Sequence, residues 1–550
     1  MKVTLSWLKD HLDTQAGADE IAARLTALGL EVEAVSDRSE ELAPFRVAYV
    51  VSAEKHPDAD KLRVCTVDTG TGTVQVVCGA PNARTGMKGV FAPAGSVIPG
   101  TGDRLKPGVI RGVESNGMLC SEREMGLSQE HEGIIELPDD APVGEPFARV
   151  MGLDDPLIDI SLTPDRADCA GVRGIARDLA AAGIGRLKPL NTDPVPASFR
   201  SRTTLALDFP AGDEIACPLF VGRSFRGLRN GPSPRWLQEK LTAIGLRPIS
   251  VLVDITNYLT YDLNRPAHVF DEGRLDGGLD GGGLTVRFAH AGETLEALNG
   301  KTYELDEGMT VIADRSGVLS LGGIMGGIST GCTDGTTDVF LEMALFDPVR
   351  TARTGRRLGI ESDARYRFER GVDPCFVIDG MEIATRLILE CCGGEAGDLV
   401  VAGAVPEDRR MLDLRTDRVL TLGGVDVPRE AQSRILEALG FLPAGDGGTS
   451  GDGRIRVRVP SWRADVHGEA DLVEEVLRVW GFDHIPATPL ERTTTVSRPA
   501  LDPGQRRVAM ARRTLASRGL FEAVTWSFMD SSRAELFGGV DPALRLLNPI

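Results

Sequence analysis

The chain has 550 residues, 42% hydrophobic and 26% charged, a globular composition that excludes a mainly disordered or collagen-like polymer. At about 150 residues per domain it calls for three to five separately cored units. Lys and Arg number 61 against 80 Asp and Glu, so the net charge of −19 confines any nucleic-acid contact to local basic patches within a repulsive field. No run reaches the roughly 18 apolar residues of a membrane span, and Met1–Trp7 lacks a signal-peptide core, so a cytoplasmic protein without membrane contact is expected. The nine cysteines lack Cys-x-x-Cys spacing and indicate neither a disulfide framework nor a zinc site.

Ile21, Leu25 and Leu28 repeat at helical spacing behind Asp19 and Glu20, with Gly29 as the stop, and Glu31–Val35 alternates as a strand. From Phe45 the texture becomes short Val-rich strands between turn residues: 46–52, 62–67, 74–78, 89–92 and a strand region in 109–119. Five such strands in about 100 residues predict a small closed barrel of the oligonucleotide-binding kind. Residues 51–125 hold nine Lys and Arg against eight Asp and Glu, a local +1 that tolerates a phosphate backbone and equally describes a mixed solvated surface.

Residues 167–183 read as a helix, and Pro189–Pro196 as a linker, with a boundary near 195–210. The block to about 395 mixes helices (236–244, 381–392) with strands (284–288, 309–313, 339–345) and predicts an α+β domain. After Gly393–Gly394 a shorter unit runs to 482, interrupted by a loop at 445–453. There Arg454–Val459 alternates strictly, one face basic and one apolar. Beyond a connector at 486–499, a helix at 505–518 leads to Phe521–Phe528. The chain stops about 50 residues into this last region, too short for its own core, and a C-terminally cut chain is expected.

No phosphate loop and no dinucleotide fingerprint is present. Gly322-Gly-Ile-Met-Gly-Gly327 offers close backbone approach, to a strand or to a ligand. Near it in sequence stand His268 and Glu342, the latter interrupting an apolar strand, where a carboxylate either faces solvent or serves a pocket. On the helix 469–480, Asp471, Glu474 and Glu475 share a face opposite Leu472, Val476 and Trp480. With Asp465 upstream they read either as ligands of a hard cation such as Mg2+ or as an acidic first turn on a solvated face. Arg350, Arg353, Arg356, Arg357, Arg365, Arg367 and Arg370, with Tyr366 and Phe368 interleaved, form the densest basic run, equally suited to RNA or to solvent.

In order along the chain, His56-Pro-Asp-Ala-Asp-Lys-Leu-Arg-Val64, Val77-Cys-Gly-Ala-Pro-Asn82, Arg111-Gly-Val-Glu-Ser-Asn-Gly-Met-Leu-Cys-Ser121, Pro164-Asp-Arg-Ala-Asp168, Asp254-Ile-Thr-Asn-Tyr258, Tyr366-Arg-Phe-Glu-Arg-Gly-Val-Asp-Pro374 and Pro460-Ser-Trp-Arg-Ala-Asp465 resemble the beta subunit of bacterial phenylalanyl-tRNA synthetase. The resemblance covers the whole chain. It implies a multidomain α+β fold: an N-terminal α/β region (1–38 plus 149–200) interrupted by an OB-fold tRNA-binding barrel (39–148), an editing domain (210–395), a winged-helix-like B5 domain (400–482) and the start of a class II synthetase-like domain (500–550). It implies an editing pocket of Thr256, His268, Gly322 and Glu342, with Gly322 where the family often has alanine, a change expected to loosen discrimination against phenylalanine. Ser250-Val251 also departs from the common Asn-Asn. It further implies Mg2+ on Asp465, Asp471, Glu474 and Glu475, ATP as a substrate of the assembled enzyme, an alpha partner in an α2β2 heterotetramer and tRNA(Phe), with no DNA.

The implied editing has a physical reason. An apolar phenylalanine pocket rejects tyrosine, which adds only a hydroxyl, about 100-fold. A second pocket that demands the hydroxyl is therefore needed. An acceptor such as Glu342 left unpaired disfavours phenylalanine there by roughly 1–3 kcal/mol. An aminoacyl ester is already activated, so positioning of water and of the tRNA end suffices, His268 orienting groups and no nucleophile being required. The alternatives are a non-catalytic RNA-binding scaffold and a free-standing aminoacyl-tRNA deacylase.

Overall fold

The structure, a computed structural model, describes residues 1–276, 282–407, 410–444, 453–490, 499–539 and 541–547. The loop expected at 445–453 lies outside them except for Gly453, as does most of the 486–499 connector. Two compact units are present, Met1–Pro486 and Ala487–Ile550.

In the first unit the strand Leu157–Ser161 lies between Lys2–Thr4 and Glu31–Ser36, antiparallel to both. The segment after residue 150 thus completes a sheet begun by the first 36 residues, and everything between is an insertion. Helix Val172–Ala181 packs its Ile175 and Leu179 with Trp7, Leu8 and Ile158. It begins five residues later than its apolar spacing predicts, because Ala167–Cys169 forms a separate 3-10 turn.

The insertion holds the five predicted strands, in the antiparallel order 117–119, 88–93, 46–56, 59–68, 73–78. Asn116 N–H donates to the Gln75 carbonyl at 2.9 Å, joining the two ends of the order, and Val50, Val67, Val76 and Leu119 fill the interior. Val, Ala and Cys at alternate positions, Ala48 and Val50, Cys65 and Val67, Val76 and Cys78, supply that interior as strand patterning requires.

Next come two stacked sheets. The first has the order His268–Asp271, Val339–Leu345, Leu219–Arg226, Glu395–Gly403. One face packs Val221, Leu341 and Met343 on helices Arg235–Ala243, Val251–Leu263 and Val377–Cys392. The other places Phe220, Phe270 and Phe340 against Leu284, Val286, Ile312 and Leu319 of the second sheet. Thr204–Asp208 and Glu395–Gly403 are both strands of this body, so the expected limits 210–395 cut off its first and last strands.

Residues 411–480 form a three-stranded sheet with the helices Arg418–Gly423, Arg429–Ala438 and Glu469–Trp480. Arg454–Arg458 alternates exposed arginine with buried Ile455 and Val457, as its sequence predicts. The core of this region is continuous with that of the N-terminal sheet. In the second unit the helix Pro503–Ser517 starts on a reciprocal cap between Asp502 and Gln505.

Candidate functional site

The strand Val339–Leu345 is buried along its whole length, as a sheet covered on both faces requires. Glu342 sits at its centre, directly opposite His268 on one neighbouring strand and Gly222 on the other. Opposed residues of an antiparallel pair project to the same face, so carboxyl and imidazole both enter the space between the sheets, beside Phe270 and Phe340. Gly222 leaves its place to the Phe340 ring, which a methyl group there would overlap.

Glu342 is 5% exposed, and among the described residues its carboxyl makes no hydrogen bond or ion pair. His268 keeps some surface, but its Nε2 is covered and has no partner. The Phe270 ring stands edge-on to the imidazole, with centroids 4.5 Å apart. Burial pushes the Glu342 carboxyl up to about 8, a shift that Arg265 opposes, and burial pushes the His268 imidazole down to about 4. Near neutrality the pair therefore presents an acid with a proton to donate and an uncharged ring, a setting suited to an uncharged hydroxyl.

The glycine turn lies on the same pocket. A methyl on Gly326 would come within 2.8 Å of His268 Nε2, so the backbone of this turn covers the ring. Gly322, the expected pocket residue, lies instead under Phe346: a methyl there would sit 2.7 Å from that ring and 3.2 Å from Thr310 Cγ2. The room left by the missing methyl is filled by Phe346. Thr256 is not brought into hydrogen-bond contact with His268 or Glu342. Its hydroxyl donates to the Val253 carbonyl of its own helix at 2.7 Å, and that helix packs on the opposite face of the sheet.

Sequence reasoning missed Gly222, Gly326 and Arg265. The glycines were legible only as a Gly-rich run or a lone strand glycine, and Arg265, next to a proline at a helix end, reads as a solvent-facing cap. It is 1% exposed.

The four acids expected to hold Mg2+ do not fit a shared cation in this arrangement: among the described residues no three of their oxygens lie within 4.8 Å of one another. Asp465 accepts both prongs of Arg463, at 2.8 and 2.6 Å. Glu475, expected on an outward face, is 2% exposed and is held by Arg463 and Arg478. Asp471 caps its helix by accepting the N–H groups of His467 and Gly468. The reason is tertiary: Leu472, Val473, Val476, Leu477 and Val479 bury the helix nearly all round. Burial alone would raise the Glu475 carboxyl, but Arg478 and Arg463 outweigh it and hold the group at about 2. The chain of charges continues from Arg478 to Asp178 and from Asp178 to Arg166 and Asp168, all buried.

Of the seven arginines between 350 and 370, five pair with acids: Arg350 with Asp213, Arg365 and Arg370 with Glu369, Arg367 with Asp363, and, at the exposed surface, Arg357 with Asp306. That run is mainly structural. On the barrel, Lys55, with Asp60, Lys61 and Arg63 from one quoted motif and Gly79, Ala80 and Pro81 from the next, lines a hollow of about 590 Å³.

Family models match in the order of these bodies: a tRNA binding domain over 45–146, the B3/4 domain over 216–393, the tRNA synthetase B5 domain over 412–482, and the phenylalanyl tRNA synthetase beta chain CLM domain over 485–550. Phenylalanine–tRNA ligase beta subunits of Paramagnetospirillum magneticum and Rhodospirillum rubrum are each 55% identical over all of this chain, which spans 67% and 68% of their lengths. That of Bradyrhizobium diazoefficiens is 53% identical over 552 residues and 67% of its length. Domains and relatives together define a component of an aminoacyl-tRNA synthetase. The chain belongs to the phenylalanine–tRNA ligase beta subunit family. No helix among the described residues is long and apolar enough to cross a membrane.

Proposed function

We propose that the chain acts in the cytoplasm as the beta subunit of a phenylalanine–tRNA ligase. An alpha partner in an α2β2 assembly activates phenylalanine with ATP, while this chain binds tRNA(Phe) and hydrolyses tyrosine mistakenly attached to it. The observation that carries the editing reading is the His268–Glu342 pair: a buried carboxyl without a partner opposite a partly buried imidazole whose covered Nε2 has none, beneath a glycine turn. A buried polar group without a partner is costly, and a phenolic hydroxyl offers Glu342 the missing bond where phenylalanine cannot. The imidazole orients the ester and water, and the Gly326 backbone keeps it in place. The barrel hollow, with Lys55, Lys61 and Arg63, suits a phosphate backbone inside an otherwise acidic chain. Mg2+ is assigned to the ATP-using assembly, and no step here passes through the 465–475 acids.

The test is tyrosine release from Tyr-tRNA(Phe) by this chain, compared with Glu342→Ala. Release that falls at least tenfold in the variant supports the reading. Equal rates remove Glu342 from the mechanism and leave the RNA-binding scaffold as the better account. Full release by a chain that binds no alpha partner would make it a free-standing deacylase.

A further inference from the structure

Arg265 leaves the helix Val251–Leu263 through Asn264, whose φ of 56° ends that helix, and arrives just ahead of the strand that begins at His268. His268 to Glu342 is the first rung of that ladder. Beyond it the carbonyl of Ala344 would have no strand to receive, and the Arg265 guanidinium supplies a donor there, with Nη1 also 3.4 Å from the Asp373 carbonyl. Its stem lies against Gly380, where a methyl would be 3.1 Å from Arg265 Cγ, and its guanidinium carbon is 5.6 Å from the Phe368 ring centre. Nε has no acceptor.

A buried cation is normally paired, because leaving water costs several kcal/mol. Arg265 is 1% exposed and, among the described residues, has no ion pair. Two residues along the strand whose carbonyl it holds, Glu342 is also buried and, among the described residues, also without an ion pair. The surroundings offer little else that is charged. The flanking strands present His268 and Gly222, the facing sheet presents Leu284, Val286, Ile312 and Leu319, and the thiol of Cys217, buried close enough to feel the Glu342 charge, is pushed up by burial. Asp373 lends Arg265 its carbonyl, and its carboxylate charge, like that of Glu342, opposes the effect of burial on the guanidinium.

We propose that Arg265 is a positioning residue of this pocket: its guanidinium, anchored on the Ala344 carbonyl, supplies the positive charge that decides whether Glu342 meets a phenolic hydroxyl as acid or as carboxylate. The proposal rests on the editing reading and deepens it. Burial and Arg265 act on Glu342 in opposite directions, and burial brings the guanidinium itself down to about 10, so the two groups share one charge balance. Without the cation the carboxyl stays protonated to still higher pH, and the pocket reaches its acceptor form only further above neutrality.

The experiment follows single-turnover tyrosine release by this chain from pH 6 to 9.5, corrected for spontaneous hydrolysis, in wild type, Arg265→Gln, Arg265→Lys and Glu342→Gln. Glutamine keeps a donor for Ala344 while removing the charge, and lysine restores the charge. The wild-type profile should contain an ionisation that Glu342→Gln lacks. Its midpoint should rise by at least one pH unit in Arg265→Gln and return most of the way in Arg265→Lys. An unmoved midpoint in Arg265→Gln overturns the proposal. If wild type releases no tyrosine, the editing reading falls alone, because infrared titration of the Glu342 carboxyl band, identified against Glu342→Gln, still reads whether Arg265 moves it.

Discussion

The guanidinium of Arg478 donates to the carboxylate of Asp178 at 2.8 Å, across 300 residues of sequence. This bond is the middle of a buried series, Asp168–Arg166–Asp178–Arg478–Glu475–Arg463–Asp465, that ties the N-terminal helix Val172–Ala181 to the helix Glu469–Trp480. Each charge is tolerable only because its neighbours in the series are present.

Removing one member strands a buried charge. Asp178→Asn and Arg478→Met should each cost about 3–5 kcal/mol in urea unfolding, whereas the double variant should cost less than the sum of the two. Additivity of the two losses would show that they are independent. The pH dependence has a definite sign. Glu475 is held at about 2, below its unfolded value, so its contribution is fully present above roughly pH 5 and is lost as pH falls toward 2. Glu475→Gln should flatten the acid limb of the stability curve.

Glu342 behaves in the opposite way. Its carboxyl is raised to about 8 in the folded chain, so the folded form binds a proton that the unfolded form has released, and stability declines as pH climbs from about 5 through 8. Glu342→Gln should therefore melt higher than wild type at pH 9 and nearly together with it at pH 5. A variant less stable than wild type at pH 9 contradicts the burial argument.

Gly322→Ala should displace the Phe346 ring, because its methyl would lie 2.7 Å from that ring's edge. Overpacking of this kind costs about 1–3 kcal/mol. Thermal melting reads the cost, and an unchanged melting temperature would mean that the ring moves freely.

Lys61→Glu and Arg63→Glu should weaken tRNA binding and each lower the dependence of log affinity on log salt by about one, as expected for lost phosphate contacts. Equal salt slopes in wild type and both variants would place the RNA elsewhere than the 590 Å³ hollow of the barrel.

Asp471→Asn should leave the Mg2+ content of this chain unchanged and cost about 1 kcal/mol of stability, since its carboxylate serves the helix start at His467 and Gly468. A fall in bound Mg2+ would show that the acids rearrange to take the ion.

Period and punctuation carried most of the local structure. Val339–Leu345 is the strand that its run of apolar residues predicts, and Arg454–Arg458 splits into basic and apolar faces as written. The start of the helix at Val172 was misjudged because Ala167–Cys169 has helix-compatible residues yet closes only a 3-10 turn. The acids at 471–475 share a side of a helical wheel, but a wheel does not record that Arg463 comes to meet that side.

By itself the sequence determined the strands and helices, the order of the bodies and the family, because those depend on spacing and on motifs contiguous in the chain. Only the tertiary structure decided that Glu342 faces His268, that Arg265 lies buried and unpaired beside them, and that Glu475 belongs to arginines. Those facts depend on strand register and on desolvation, and both arise where distant segments close on one another and exclude water.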